Sequence, residues 1–372
     1  MHSEGPSMIR LEADAPDFED RFSALVNGRR DVGRDVSADV ARILADVRET
    51  GDEAVRALTK RLDGFDLDVA GWQIPLAACR DALARLEPEL RQALELAASR
   101  IRAYHEAQRP LDSDVTDAAG VRAGARWLPV DAAGLYVPGG RAAYPSSVLM
   151  NAIPAKVAGV GRLVMVTPSP EGALNPLVLA AAALAGVDEV WRIGGAQAVA
   201  ALAYGTSRIA PVDVVTGPGN AWVAEAKRQL YGIVGIDMVA GPSEILVVAD
   251  AANDPEWLAA DLLSQAEHDP TSQSILITDD PGLADRVADA VDRRLESLET
   301  QAVARASWDA HGAIILVRDL EHAPPLVDRL APEHLELAVA DPQPLFARIR
   351  HAGSIFLGRH TPEAIGDYVG GP

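Results

Sequence analysis

The sequence is short of cysteine, of long apolar runs and of positive charge, and each shortage excludes a class of protein. A single cysteine, Cys79, in 372 residues rules out an intramolecular disulfide framework and a cysteine-based zinc cluster. No apolar run approaches the roughly 18 residues of a membrane-spanning helix. The amino terminus, "MHSEGPSMIRLEADAPDFED", lacks the basic and apolar regions of a secretory signal. We therefore expect a cytoplasmic protein without a membrane segment, in which nitrogen and oxygen ligands hold any metal.

Basic residues are outnumbered, with 34 Lys and Arg against 54 Asp and Glu, and the formal net charge is -20. Proteins that bind nucleic acid rely on Lys and Arg to neutralise phosphates. The charge therefore argues against a nucleic-acid partner and favours a small-molecule substrate.

Two common fingerprints are also absent: no G-x-G-x-x-G follows a predicted strand, and no G-x-S-x-G marks a nucleophilic serine. Glycine-rich turns nevertheless end several predicted strands, as in "YVPGG" (136–140), "IGGAQA" (193–198) and "TGPGN" (216–220). Ligands of open α/β sheets bind at the carboxyl ends of strands, where glycine allows close approach. Glycine also serves ordinary tight turns, so a phosphate or cofactor site and plain turns both remain open.

The remaining patterns predict an α/β protein. Apolar residues at helical spacing predict two helices within 35–62, broken at Gly51, and another over 86–108. After Pro110, continuous apolar runs such as "RLVMVTP", "EILVVAD" and "SILITDD" alternate with helical stretches, which is typical of parallel sheets covered on both faces. We predict two docked, incomplete Rossmann-like domains with a helical N-terminal segment. The expected division is an arm at 1–30, one domain at 31–134 plus 244–372, and a second at 135–243.

Two polar clusters stand out. In "DLLSQAEHDP" (261–270), Gln265 and His268 are three residues apart, and on a helix they would share a face and could bind one metal ion. The alternative is a solvated helix end. In "LAPEHLEL" (330–337), Glu333 and His334 follow Pro332, which predicts the first turn of a helix. There they would point about 100° apart and could serve two proton transfers, or be a helix acid and an exposed histidine.

Other polar residues are weaker candidates. Asp367, between Gly366 and Tyr368, could be an oxygen ligand or an Asx-turn residue. Ser243 in "AGPSEILV" lacks a base partner, so a substrate hydrogen bond is favoured over acyl chemistry. His351 and His360 are isolated and are interpreted as surface residues.

Taken in order, the segments "GLYVPGG", "GGAQAVAALAYGT", "GPGNAWVAEAKRQL", "IDMVAGPSEILVVAD", "DLLSQAEH", "APEHLEL" and "AGSIFLG" resemble the histidinol dehydrogenase family over roughly residues 30–372. The resemblance implies an NAD-dependent, zinc-requiring oxidation of L-histidinol to L-histidine through an aldehyde, in two successive hydride transfers. It implies that this activity completes histidine biosynthesis, and it implies a homodimer.

Residue by residue, the resemblance implies zinc ligation by Gln265, His268 and Asp367. It implies that His334 is the general base and that Glu333 assists attack of water on the aldehyde. NAD contacts are implied for Tyr136, Gln197 and Asn220. Substrate contacts are implied for Ser243 and His334, and for the three zinc ligands.

The family pattern continues past "GDY" into a tail that carries a substrate-contacting glutamate and a fourth zinc-ligating histidine, whereas this sequence ends at Pro372. We therefore expect a C-terminally truncated form. Two alternatives remain open: a related NAD and zinc dehydrogenase of another small polar alcohol, and a non-catalytic NAD- or metal-binding protein.

Overall fold

The structure, a computed structural model, describes residues 8–28, 36–139, 144–239 and 241–370, without the side chains of Ala70 and Asp367. The β-strands are β1 Ile9–Glu12, β2 Gln73–Ile74, β3 Ser113–Thr116, β4 Arg122–Ala125, β5 Ala132–Tyr136, β6 Arg162–Val166, β7 Glu189–Trp191, β8 Val214–Thr216, β9 Gly235–Ile236, β10 Glu244–Ala249, β11 Gln273–Thr278, β12 Ala313–Leu316, β13 His334–Ala338 and β14 Ser354–Leu357.

The α-helices are α1 Phe18–Gly28, α2 Ser37–Thr50, α3 Asp52–Asp63, α4 Leu67–Ala70, α5 Leu76–Ala84, α6 Pro88–Ala107, α7 Pro145–Ala158, α8 Pro176–Ala185, α9 Gly195–Tyr204, α10 Ala221–Leu230, α11 Pro255–Ala266, α12 Pro281–Leu295, α13 Gln301–His311, α14 Ala323–Leu330 and α15 Gln343–Phe346. Short 3-10 turns span Pro170–Gly172 and Leu320–His322, and a π-helical turn spans Gly366–Gly370. Among the described residues, no helix has both the length and the apolar composition that a membrane crossing requires.

The chain divides into two compact units. Unit I contains the described residues of 1–33 and 241–366, and unit II contains those of 34–240 and 367–372. This differs from the expected division, because residues 34–134 belong with the strands that follow them. The reason is packing: α2 and α3 cover one face of the unit II sheet, and α5 and α6 cover the other.

Unit I is built on a sheet of order β1-β12-β11-β10-β13-β14, in which all pairs are parallel. Alternate residues of β10 face opposite sides. Ile245 and Val247 pack toward α11 and α12, whereas Leu246 and Val248 pack toward α14 and α1. Covering both faces explains the continuous apolar strands. The expected N-terminal arm is part of this unit, since β1 pairs with β12.

Unit II has the sheet order β2-β7-β6-β5-β8-β9, with β2 antiparallel to β7 and the other pairs parallel. Its central strand β5 is buried throughout. In unit I, β11 and β12 follow β10 on one side and β13 and β14 lie on its other side; in unit II, β6 and β7 follow β5 on one side and β8 and β9 lie on its other side. This is the 3-2-1-4-5 order of a doubly wound fold that lacks its sixth strand, so the prediction of incomplete Rossmann-like domains is confirmed.

Unit II also contains an antiparallel hairpin that was not predicted from the sequence pattern. Strand β3 pairs with β4, and every residue of both strands is exposed. Several large apolar side chains in and beside this hairpin are exposed to solvent; they are Leu111, Val115, Val121, Trp127 and Leu128.

Candidate functional site

The predicted catalytic and substrate-binding residues of unit I lie at the amino edge of its sheet, where the parallel strands begin. Ser243 directly precedes β10, and its carbonyl accepts a hydrogen bond from the Gln273 N–H at 3.0 Å. His334 begins β13, where it pairs with Ile245. Strand pairing therefore brings Ser243 and His334, which are far apart in sequence, to the same edge.

Helix α11 delivers the "SQAEH" segment to this edge. The side chain of Asp254 caps its amino end, with Pro255 in the first turn, and the helix runs back along the sheet to Ala266. Gln265 is 2% exposed, whereas His268 is exposed. The prediction that both residues lie on one helix needs correction, because the helix ends before His268.

A turn nevertheless keeps the two residues together. The backbone N–H of His268 donates to the carbonyl of Gln265 at 3.2 Å. The Nδ1 atom of His268 lies 3.4 Å from the Ser243 hydroxyl. Ser243, Gln265 and His268 therefore belong to one cluster at the amino edge.

The predicted helix at Glu333 and His334 is wrong, because these residues enter strand β13. Helix α14 ends at Leu330, and Ala331 takes the left-handed conformation with φ 46°. Pairing of the following residues with β10 on one side and β14 on the other outweighs the local helix-start signal of Pro332. The His334 side chain is largely buried and that of Glu333 is half exposed.

The surroundings of His334 define which of its nitrogens can act as a base. Its Nδ1 atom lies 3.1 Å from the backbone carbonyl of Glu244. A carbonyl only accepts, so a neutral imidazole donates from Nδ1 and keeps its lone pair on Nε2. The carboxylate of Glu333 accepts the Glu244 N–H at 3.3 Å and lies 3.8 Å from Nδ1 of His334. The half-exposed carboxylate of Glu333 therefore lies on the Nδ1 side of the ring, and Nε2 is the acceptor nitrogen.

Two buried acids behind His334 were not among the predicted site residues. The Glu363 side chain is 2% exposed, and its Oε1 lies 3.9 Å from His334 Nε2. Glu336, two positions after His334 on the same face of β13, is 1% exposed. An acid at this alternate position within an apolar strand was an available signal for Glu336. No local pattern marked Glu363.

The predicted cofactor residues of unit II lie at the opposite, carboxyl edge of their sheet. Tyr136 ends β5, and its hydroxyl accepts the Gly195 N–H at 3.0 Å. Burial raises the pKa of Tyr136 to about 12, so the phenol is neutral. Gly217 follows β8 with φ 112°, and a Cβ there would overlap the Tyr136 carbonyl oxygen. Only glycine fits at this point, where the strand order reverses.

Buried polar atoms without partners mark this edge. Within the described residues, Gln197 Oε1 and Thr216 Oγ1 are buried and have no hydrogen-bond partner. Such atoms are rare in folded proteins and call for an explanation, of which a bound ligand is one. The Asn220 carboxamide accepts the N–H groups of Trp222 and Val223 at 3.1 and 3.2 Å, so it caps α10. Its side-chain NH2 group keeps its donors.

A buried ion pair holds the "TGPGN" turn in place. Lys227, 2% exposed, donates to the Gly217 carbonyl at 2.9 Å and is paired with Asp237. Asp237 in turn accepts the Gly217 N–H at 2.8 Å. Both backbone groups of Gly217 are therefore fixed by charged side chains.

Few contacts in the structure bear on the predicted metal site. Within the described part of the chain, His, Cys, Asp and Glu side chains form no group of three or more that could hold a metal ion. The predicted ligand set differs from such a group, because Gln265 is an amide and the Asp367 side chain lies outside the described residues.

Comparison with known proteins places the chain in a family. The family model described as histidinol dehydrogenase matches residues 27–372. The chain belongs to the histidinol dehydrogenase family. It is thus an oxidoreductase that acts on a small-molecule substrate, as its family membership implies.

Named relatives agree. The chain is 67% identical to histidinol dehydrogenase of Zymomonas mobilis, over 98% of this chain and 85% of that protein. It is 64% identical to the Rhodospirillum rubrum histidinol dehydrogenase, over 98% and 84%. The crystal structure of the Elizabethkingia anophelis histidinol dehydrogenase superposes with a TM-score of 0.91 at 34% identity, covering 98% of this chain and 83% of that one.

Proposed function

We propose that the chain oxidises L-histidinol to L-histidine, with NAD as the hydride acceptor in both steps and with a zinc ion that holds the substrate. The observation that carries this proposal is the state of His334, whose Nδ1 is engaged by the Glu244 carbonyl at 3.1 Å while Nε2 keeps its lone pair. An alcohol oxidation needs such a base, since the O–H proton must leave as the hydride departs. Family membership directs that base to histidinol.

The other residues fit supporting roles. His334 Nε2 takes the alcohol proton, and Ser243 is placed to hydrogen-bond the substrate. The half-exposed carboxylate of Glu333 is placed to accept a proton from water in the second oxidation. Each role uses an atom at the amino edge of unit I.

The donor types at this edge suit zinc. Gln265 and His268 offer an oxygen and a nitrogen within one turn. The family resemblance makes Asp367, whose side chain lies outside the described residues, the third proposed ligand. A bound zinc ion would hold the imidazole and amine of histidinol and so orient the substrate. Removing zinc with a chelator should abolish turnover, and adding zinc back should restore it.

The carboxyl edge of unit II suits NAD. The unpartnered Gln197 Oε1 and Thr216 Oγ1 can accept hydrogen bonds there. Tyr136 and Asn220 border the same edge, and the absence of a Cβ at Gly217 permits close approach. NAD supplies the hydride-accepting ring when it is bound.

The deciding assay measures NADH formation from histidinol with zinc present, with the Zymomonas mobilis relative as the positive control. Two NADH per histidinol are expected. Turnover of a different small polar alcohol, but not histidinol, would change the substrate assignment. NAD binding by calorimetry with no alcohol oxidised would overturn the proposal in favour of a binding protein.

We also infer that the chain forms a homodimer through the β3–β4 hairpin. Its exposed side chains include Val121 at 61% and Trp127 at 61% exposure, which favours a protein partner. Light scattering after size exclusion should give a dimer for the wild type and a monomer for Trp127→Glu. A monomeric wild type would contradict the inference.

A further inference from the structure

Three carboxyl groups lie together behind His334 in unit I. Asp261 is on α11, Glu336 is on β13, and Glu363 is in the segment after β14. Glu336 and Glu363 are 1% and 2% exposed. Three ionised carboxylates in so dry a position would repel one another strongly, so the cluster must hold at least one proton.

Burial and the neighbouring charges indicate where that proton lies. The carboxyl groups of Asp261 and Glu336 are close enough to act on each other, and Glu336 Oε2 is buried without a hydrogen-bond partner among the described residues. Burial, followed by the charge of Asp261, raises the pKa of Glu336 to about 9, whereas burial raises that of Asp261 to about 6. Glu336 is 1% exposed whereas Asp261 is only partly buried, and Arg294 favours the charge on Asp261, so Glu336 carries the proton at neutral pH.

Glu363 is the member that faces the base. Its Oε2 lies 3.0 Å from the Ser264 hydroxyl, which is also 2.7 Å from the Asp261 carbonyl. One hydroxyl proton can serve only one of these acceptors at a time. The other oxygen, Oε1, is buried without a hydrogen-bond partner among the described residues and lies 3.9 Å from His334 Nε2.

We propose that Glu363 is a positioning residue for His334, and that the protonated Glu336 keeps the negative charge of the cluster on Asp261 and Glu363. This rests on the proposed function. When the substrate O–H bond breaks and an N–H bond forms at Nε2, the imidazole becomes a cation. The Glu363 carboxylate then stabilises that cation, while the Glu244 carbonyl holds the other side of the ring.

Within the described residues, the following ionisable groups face His334 and the carboxyl cluster. His334 faces Glu333 and Glu363 and contacts the backbone of Glu244. Glu336 faces Asp261 and Glu363. Arg294 is the cation whose charge acts on Asp261.

Kinetics of Glu363→Gln and Glu363→Asp separate charge from shape. If charge matters, Glu363→Gln lowers kcat about 10- to 100-fold with KM changed less than about threefold, and Glu363→Asp retains more activity. Greater activity in the isosteric Gln variant than in the Asp variant would overturn the proposal. The exposed Glu321→Gln is the matched control and should keep kcat.

The Glu336→Gln variant tests whether Glu336 carries a proton. A residue that is already neutral can be replaced by its neutral isostere, so kcat should stay within about twofold of the wild type. A loss as large as that in Glu363→Gln would show that Glu336 is ionised and would contradict the assignment.

Two measurements do not depend on turnover. A carboxyl whose pKa is raised on folding binds its proton in the folded state, so the wild type loses stability as pH rises toward about 9. Glu336→Gln lacks this loss, and its Tm should rise relative to the wild type between about pH 6 and pH 9. A Tm difference between Glu336→Gln and the wild type that does not change with pH would refute the proton assignment.

The second measurement is the NMR spectrum of the His334 ring, assigned with His334→Asn. Its ring resonances should change in Glu363→Gln, because the two side chains lie 3.9 Å apart, and should stay the same in Glu321→Gln. Unchanged resonances in Glu363→Gln would refute the pairing with Glu363. If no alcohol is oxidised but both results hold, the proposed function fails and the carboxyl cluster stands.

Discussion

The two units share a strand order but use opposite edges of their sheets. In unit II, the carboxyl edge at the reversal between β5 and β8 carries Gly217 and the unpartnered atoms of Gln197 and Thr216. In unit I, the corresponding reversal lies between β10 and β13, and the proposed chemistry lies at the amino edge. Strand order alone therefore does not determine where a site forms.

The two units use different edges because side chains of unit I itself occupy the point where its strand order reverses, between β10 and β13. Asp250, directly after β10, accepts the N–H groups of Ala252 and Ala340 at 3.1 Å each and pairs with Arg359. The Asn253 amide donates to the Ala338 carbonyl at 2.6 Å. At the reversal point of unit I the polar groups are hydrogen-bonded to one another, whereas at that of unit II buried polar atoms are left without partners and could bind a ligand.

The largest expected effect is on the amino edge of unit I. His334→Asn removes the proposed base and should lower kcat about 100- to 10,000-fold. His351→Asn, at an exposed histidine of the same unit, is the matched control and should keep kcat within about twofold. A loss below tenfold in His334→Asn would place the base elsewhere.

Gly217→Ala tests the carboxyl edge of unit II. The new Cβ would overlap the Tyr136 carbonyl at a positive φ, so we expect NAD affinity to fall at least about 100-fold and stability by about 3 kcal/mol. Calorimetry with NAD and urea unfolding measure both.

Gly358→Ala is its counterpart in unit I, with φ 104° and its nearest neighbour, Thr361 Oγ1, 3.9 Å from the new Cβ. It should cost only the conformational strain of about 1–2 kcal/mol and leave NAD affinity unchanged. Equal NAD losses in the two variants would remove the distinction between the edges.

Asp250→Asn opens the filled reversal point of unit I. It should lower the free energy of unfolding by about 2 kcal/mol, because Arg359 loses its partner, without changing NAD affinity. Burial raises the pKa of Asp250, but Arg359 and two backbone N–H groups outweigh this, and the pKa is lowered.

The pH dependence follows from that direction. A carboxyl with a depressed folded pKa contributes stability above its unfolded pKa and loses it as pH falls through the folded value. The difference between wild type and Asp250→Asn should therefore shrink in acid. Urea unfolding at several pH values measures it, and a difference that grows in acid would contradict the assignment.

Tyr136→Phe should have the smallest effect. The Gly195 N–H loses its acceptor, which costs about 1 kcal/mol, and NAD affinity should fall about fivefold. A variant with unchanged affinity would show that the phenol supports the turn alone.

The sequence predicted most of the elements but not all of the site. Runs such as "EILVVA" and "QSILIT" are strands as expected, because an apolar run covered on both faces is a reliable signal. The prediction for residues 331–334 was wrong, because Pro332 is a local helix-start signal, whereas the pairing of β13 with β10 and β14 depends on segments far away in sequence. The role of Glu363 could not be predicted, because it depends on burial and on a 3.9 Å approach to a residue far away in sequence.

The predicted ligand pair shows the same limit. The spacing of Gln265 and His268 correctly indicated proximity, but a helix over both was wrong, because α11 ends at Ala266. Their burial also differs, and spacing carries no information on burial. Which edge of a sheet is filled likewise depends on contacts such as Asp250 with Ala340, which join distant segments.

The pairing of β1 with β12 has a consequence for the order of folding. Ile9 is synthesised before residues 34–240, whereas its partner Ala313 emerges only after them. Residues 34–240, which are all of unit II except 367–372, are therefore present in the nascent chain while β1 still has no sheet to join. We expect the sheet of unit II to fold before that of unit I, and the β1 edge of the unit I sheet to pair late.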